Sequence, residues 1–144
     1  MNSNRSIPNA SIIPELGYDD VRAAAAWLCD AFGFTERLRI GDHRVQLTFG
    51  SGALVVVERG PASSAAGDAR PACDAVMVRV DNVDAHHARA ARHGARIVRP
   101  PTDHPYGERQ YTAADPDGHA WTFTQTIADV DPADWGGELV DSGS

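Results

Sequence analysis

At 144 residues the chain is long enough for one domain with a real core and too short for two ordinary ones. Its formal net charge of −7, from 20 acidic side chains against 13 basic ones that are all arginine, leaves no basic stripe for nucleic acid; the lack of lysine removes Schiff-base chemistry and the P-loop lysine together. The longest apolar runs, Ala23–Leu28 and Ala53–Val57, fall far short of the roughly 20 residues that span a membrane, and "MNSNRSIPNASIIPEL" holds no signal-length apolar stretch, so a soluble cytoplasmic protein is expected.

The first predicted strand is Ile12–Tyr18. In "YDDVRAAAAWLCDAFGF" an Asp side chain then offers an N-cap oxygen to an alanine-rich helix, which Gly33 closes in the left-handed conformation. Cys29 within it reads as a small buried hydrophobe, and Cys73 stands at no metal-ligand or redox spacing from it, so no disulfide framework is implied. Three strands follow, Phe34–Ile40, His43–Phe49 and Ala53–Arg59, turned at Gly41-Asp42 and Gly50-Ser51-Gly52. "RGPASSAAGDARPA" reads as a mobile linker over about 60–72.

The same order then recurs. A strand over Asp74–Val80 leads into the helix of "VDNVDAHHARAARHGA", ended by Gly94, and strands follow over Ala95–Arg99, Arg109–Ala114 and His119–Gln125. His86, His87 and His93 read as solvated helix histidines, His93 suiting the helix dipole. "PPTDHPYGE" reads as a loop that could cover a cavity mouth, where Tyr106 would stack on a ligand or simply pack. In Asp115-Pro116-Asp117-Gly118, Pro sets the second turn position and Gly takes the left-handed one. Asp131–Trp135 is expected to form a helical turn whose Trp135 docks the tail on the body or on a second subunit.

Each half is thus β-α-β-β-β, in a single α+β domain: module 1 over about 11–60, module 2 over about 73–126 and a tail over 127–144. Such a unit buries only the helix side of its sheet, so the other face needs a partner. The duplicated pattern, with "DDVRAAAAWLCDAFGF", "PYGERQYTAADPDGHAWTF" and "DPADWGG", resembles the vicinal-oxygen-chelate superfamily over roughly Ile12–Gly137. These are the glyoxalase, bleomycin-resistance and extradiol dioxygenase-like proteins. The resemblance implies a curved mixed sheet around a central cavity with helices on the outer face, often completed across a homodimer. In the superfamily's enzymes a divalent metal sits there on His, Glu or Gln from the first and last strand of each module. The resemblance also implies that Arg109, across the hairpin from the Asp-rich turn, locks that turn by a carboxylate fork.

Strand alternation assigns the faces. It sends Pro14, Leu16, Tyr18, Val55, Val57, Val76, Val78, Val80, Trp121 and Phe123 beneath the helices, and Glu15, Leu54, Val56, Glu58, Met77, Arg79, Thr122 and Thr124 to the concave side. By the resemblance, the metal-ligand positions fall on Ile13, Val56, Ala75 and Thr122; three lack a donor atom and the fourth is a weak hydroxyl. A slip of two residues substitutes Glu15, Met77 and Thr124, still only one good ligand.

The expectation is a protein without metal or other cofactor that binds a small organic molecule. Its polar set would be Glu15, Gln46, Thr48, Arg79, Tyr106, Gln110, Thr112 and Thr122, lined by Ile13, Leu54, Val56, Ala75 and Met77. The resemblance implies sequestration of a toxic or antibiotic-like compound by a homodimer that contacts neither nucleic acid nor membrane. The alternatives are a lyase, isomerase or dioxygenase using a metal or Glu15 acid–base chemistry, and a structural or regulatory homodimer with a filled cavity. Glu15 is expected either to pair with Arg79 across the modules or to act as a ligand-orienting anion or a general base with a raised pKa. No nucleophile elbow, phosphate loop or dinucleotide fingerprint is present.

Overall fold

Asp20 holds extended backbone and its carboxylate accepts from the Ala23 amide, which starts helix α1 (Val21–Trp27). The helix runs on as a π-helical turn, Leu28–Phe32, until Gly33 ends it at φ 87°. Asn82 repeats the device for α2 (Val83–Arg92), accepting from the Ala85 amide, with Asp84 in the first turn and Arg89 and Arg92 in the last. This is a computed structural model, and it describes residues 4–59 and 75–139. The expected linker, Cys73 and Asp74 lie outside the described residues.

Strands β1 (Glu15–Tyr18), β2 (Thr35–Ile40), β3 (Arg44–Phe49) and β4 (Gly52–Glu58) form one sheet in the order β1-β4-β3-β2. Strands β5 (Ala75–Arg79), β6 (Arg96–His104), β7 (Glu108–Ala114) and β8 (Ala120–Thr126) form the second in the matching order β5-β8-β7-β6. In each, the first and last strands run parallel and the other pairs antiparallel. The duplication read from sequence is therefore a duplication of topology.

Two expectations about the strands change. Most of "PPTDHPYGE" is strand, because β6 continues through Pro100 and Pro101 to His104 with two register shifts, leaving only a short turn before β7. Two prolines are tolerated there because β6 is an edge strand. The second change concerns β4. Phe49 pairs with Gly52 across a two-residue turn, which sets Leu47 opposite Leu54, Gln46 opposite Val55 and Val45 opposite Val56. Antiparallel partners share a face, and Val45 and Leu47 are fully buried beneath α1. Leu54 and Val56 therefore lie under the helix, and Val55 and Val57 face the other way. Val56, expected to line the cavity, is a core residue with no exposed surface.

The helix sides of the two sheets share one core. Phe32 at the end of the π turn meets Trp121 at 5.5 Å and Phe123 at 4.8 Å, both from β8. Asp115, in the Asp-Pro-Asp-Gly turn, joins the modules. Its carboxylate accepts from Tyr18 Oη at 2.7 Å and Trp121 Nε1 at 3.1 Å, and from the amides of Asp117 and His119. Burial, then the Asp115 charge, pushes the Tyr18 phenol far above its ordinary range, so it stays a donor. Trp27 Nε1 donates to the His93 carbonyl at 2.9 Å, and His119 Nε2 lies 2.7 Å from the Gly17 carbonyl.

His86, expected on a solvated face, is instead packed into this joint. Its Nε2 lies 2.8 Å from the Phe32 carbonyl and its Nδ1 2.5 Å from Tyr111 Oη, and its ring sits 4.1 Å from Phe123. A carbonyl can only accept, so Nε2 carries the proton and Nδ1 accepts from the tyrosine. Arg109 also departs from expectation: it forks Asp103 (Nε to Oδ1, 2.6 Å) and reaches Asp84 (3.0 Å), tying β6 to the start of α2 and leaving the Asp115 turn alone. Cys29 is half-buried at the core's edge, and burial pushes its thiol pKa up.

Candidate functional site

Each sheet keeps one face turned away from the helices, and the expected binding residues on the strands, Leu54 and Val56 excepted, divide between these two faces. In module 1, register places Glu15, Gln46, Val55 and Thr48 on the open face. Ile13 lies just ahead of β1 and is half-buried. Glu15 pairs with Arg44 Nη2 at 2.9 Å, and its side chain is 56% exposed. Glu15 thus meets a charge of its own sheet at a wet site.

In module 2, Met77, Arg79, Thr122, Thr124, Gln110, Thr112 and Glu108 share the open face. Here side chains form one connected chain. Tyr106 Oη donates to Gln110 Oε1 at 3.2 Å; Gln110 Nε2 donates to Thr124 Oγ1 at 3.0 Å; Thr124 Oγ1 donates to Glu108 Oε1 at 2.5 Å. From the other end, Arg79 Nη1 donates to Thr126 Oγ1 at 2.5 Å, and Thr126 Oγ1 donates to Glu108 Oε2 at 2.6 Å. Thr112 and Thr122 bond each other at 2.9 Å. Burial raises the Glu108 pKa, but the two threonine donors and the Arg79 charge outweigh it, and the carboxyl sits below its ordinary value.

Glu108 was missed by sequence reasoning, although the signal was present: in "ERQYT", Glu108, Gln110 and Thr112 alternate onto one face. Arg44 follows from the same rule two residues before Gln46. Tyr106 packs between His104 (5.1 Å, 7°) and Trp135 (5.2 Å, 55°), so the tail does dock through Trp135.

The expected Glu15–Arg79 pair does not form. Arg79 turns to Glu108 at 3.7 Å, as Glu15 turns to Arg44, because each finds an opposite charge on its own sheet. Among the described residues no hydrogen bond or ion pair links the module 1 set to the module 2 set. The modules do border a common groove of about 890 Å³, walled by Pro14, Phe34 and Phe49 on one side and Met77, Val78 and Arg79 on the other.

Donor atoms are scarce at the positions where the resemblance puts metal ligands. Val56 is in the core, and Val55 and Val57, which take its place on the open face, offer no donor; neither does Ala75, and Thr122 is engaged with Thr112. Among the described residues, no three His, Cys, Asp or Glu side chains are grouped to hold a metal ion.

The pattern of the Glyoxalase/Bleomycin resistance protein/Dioxygenase superfamily matches residues 13–123. The chain belongs to this superfamily. Among solved structures, TioX from Micromonospora sp. ML1 is 35% identical, with 85% of this chain and 100% of that one covered and a TM-score of 0.66. TnmS3 from Streptomyces sp. CB03234, described as an antibiotic binding protein, is 25% identical over 82% of this chain and 98% of its own, with a TM-score of 0.63. A family enzyme from Burkholderia phytofirmans PsJN, 19% identical over 78% of this chain and 95% of its own, shares the fold with a TM-score of 0.66. No curated protein matches. No described helix is long and apolar enough to cross a membrane.

Proposed function

We propose that this superfamily member binds and sequesters a small, antibiotic-like organic molecule without using a metal, and that a second copy of the chain completes its cavity. The observation that carries the reading is the connected polar face of module 2. There Tyr106, Gln110, Thr124, Glu108, Thr126 and Arg79 fix one another's orientation beside the exposed Met77. Side chains pre-set in this way can orient a ligand by hydrogen bonds, with little ordering cost, while apolar neighbours cover its bulk. Donors that suit a metal are wanting at the superfamily's ligand positions, and the antibiotic-binding TnmS3 is a relative over most of both chains.

The test is a thermal-shift screen against a library of antibiotics and related natural products, with hits confirmed by calorimetry and each bound compound recovered for mass spectrometry. Saturable binding by metal-free protein, with the compound recovered unchanged, is expected. Binding that requires about one transition-metal ion per chain, or a compound recovered chemically altered, would overturn the reading in favour of an enzyme.

A further inference from the structure

Gln46 faces away from α1 on the nominally open side of its sheet, yet it is only 3% exposed. The chain ahead of β1 covers it. Gln46 Nε2 donates to the Ser6 carbonyl at 2.8 Å, and Arg37 Nη2 donates to the Arg5 carbonyl at 2.8 Å. Arg37 Nη1 also donates to Gln46 Oε1 at 2.5 Å, so the guanidinium holds the amide with its NH₂ pointing at the covering chain. Arg37 is the extra residue at the register shift between Glu36 and Leu38, and a bulge re-aims a side chain in this way. Val55, opposite Gln46 in register, is 4% exposed, and Pro8 of the covering segment is buried.

Two linked donors thus grip two consecutive main-chain carbonyls. In these contacts the Arg5 and Ser6 side chains take no part, so what is recognised is a backbone. Module 2 repeats the Gln-x-Thr spacing on its third strand, but Gln110 there is engaged by Tyr106 and Thr124. Among the described residues, the open face of module 2 has no such grip on main-chain carbonyls.

We infer that the open face of module 1 is a subsite for a peptide-type backbone, two successive amide carbonyls read by Arg37 and Gln46, which residues 4–8 fill until a ligand takes their place. The inference builds on the small-molecule reading and narrows its ligand to compounds containing peptide or amide bonds. A tethered occupant competes at high effective concentration, so it weakens the apparent affinity of any ligand that must displace it.

The full-length chain carrying Pro8→Asp tests this, since a carboxylate at a buried position releases the segment. The probe is the capped peptide acetyl-Asn-Arg-Ser-Ile-Pro-Asn-Ala-amide, titrated into ¹⁵N-labelled protein while the Gln46 side-chain amide and the β3 backbone amides are followed by NMR. Saturable shifts are expected in Pro8→Asp, with the parent chain needing at least about ten-fold more peptide. Gln46→Leu in the Pro8→Asp background should abolish binding. A folded Pro8→Asp chain that shows no shift, or a Gln46→Leu chain that binds equally well, overturns the inference. If Pro8→Asp does not fold, hydrogen exchange decides: the Ser6 and Ile7 amides, bonded within the segment, should exchange at least about ten-fold faster in Gln46→Leu than in the parent, and equal protection overturns the inference. Peptide binding in a protein that takes no antibiotic leaves this subsite standing and removes the sequestration reading; antibiotic binding without peptide binding does the reverse.

Discussion

His86 shows how much one side chain's setting can depend on a surface that its neighbours in sequence do not reveal. It is neutral in the joint between modules, donating to the Phe32 carbonyl and accepting from Tyr111. Burial depresses its pKa most, the Phe32 carbonyl partly offsets this, and the Arg89 charge depresses it further. The other groups around it add no compensating anion: Tyr111 is a phenol whose pKa burial pushes up, and His87 packs edge-on against that same ring. Because the folded-state pKa is lowered, the unfolded chain binds more protons between that value and about 6.5, and acid favours unfolding in this window. Stability should therefore fall as pH drops below about 6.5, with a slope of at most about 1.4 kcal/mol per pH unit from this residue. Urea titrations of the parent and His86→Gln across pH 5 to 8, on the order of the histidine range, check this. The difference between the two should grow flat above neutrality, and parallel profiles would remove His86 as the cause.

At the scale of the element, β4 carries the sharpest lesson. "ALVVV" is apolar at every position, so no alternation says which side faces α1. The pairing decides it: the two-residue turn at Gly50-Ser51, with Gly50 at φ 56°, fixes the register against β3, whose own alternation is clear. Val56→Thr would bury an unmatched hydroxyl among Val45, Leu16 and the helix and should cost about 1–3 kcal/mol. Val57→Thr, half-exposed on the opposite face, should stay within about 0.5 kcal/mol. Chemical denaturation of the two variants measures this directly, and equal losses would mean the strand is turned over. The turn between β6 and β7 adds a contact to a local constraint. Gly107, just before β7, has φ 87°, and a Cβ there would also come within 2.3 Å of the Ala128 carbonyl, so glycine is required both by the turn and by the tail.

For the whole molecule, the joint uses the helix sides of both sheets and leaves the other faces outward. Edge strands β1, β2, β5 and β6 border them, and Met77 and Val98 are 62% and 54% exposed. Unpaired edges beside exposed apolar side chains favour association, and a self-complementary two-fold contact is the commonest solution. The expected species at micromolar concentration is therefore a dimer, of twice the 15.4 kDa chain mass, by sedimentation velocity. Met77→Asp should shift it toward monomer with little change in the stability of each chain, because Met77 is exposed and lies outside the shared core. A parent chain that sediments as a monomer would mean that each chain binds its ligand alone.

What the sequence by itself determined was whatever is encoded within a few residues. The Asp20 and Asn82 caps, the glycines that end the helices, the Asp-Pro-Asp-Gly turn and the doubled β-α-β-β-β order are all local, and the clear alternation in β3, β5, β7 and β8 put Gln46, Thr48, Met77, Arg79, Gln110, Thr112 and Thr122 on open faces. Tertiary structure decided the choices among partners that local sequence leaves equal. Arg109 takes Asp103 and Asp84; Glu15 takes Arg44 on its own sheet in place of Arg79; one of two adjacent histidines is drawn into the joint between the modules. A charge or an aromatic ring binds whichever complementary surface the fold brings up, and which surfaces meet is a property of the assembled modules, not of the residues flanking them in the chain.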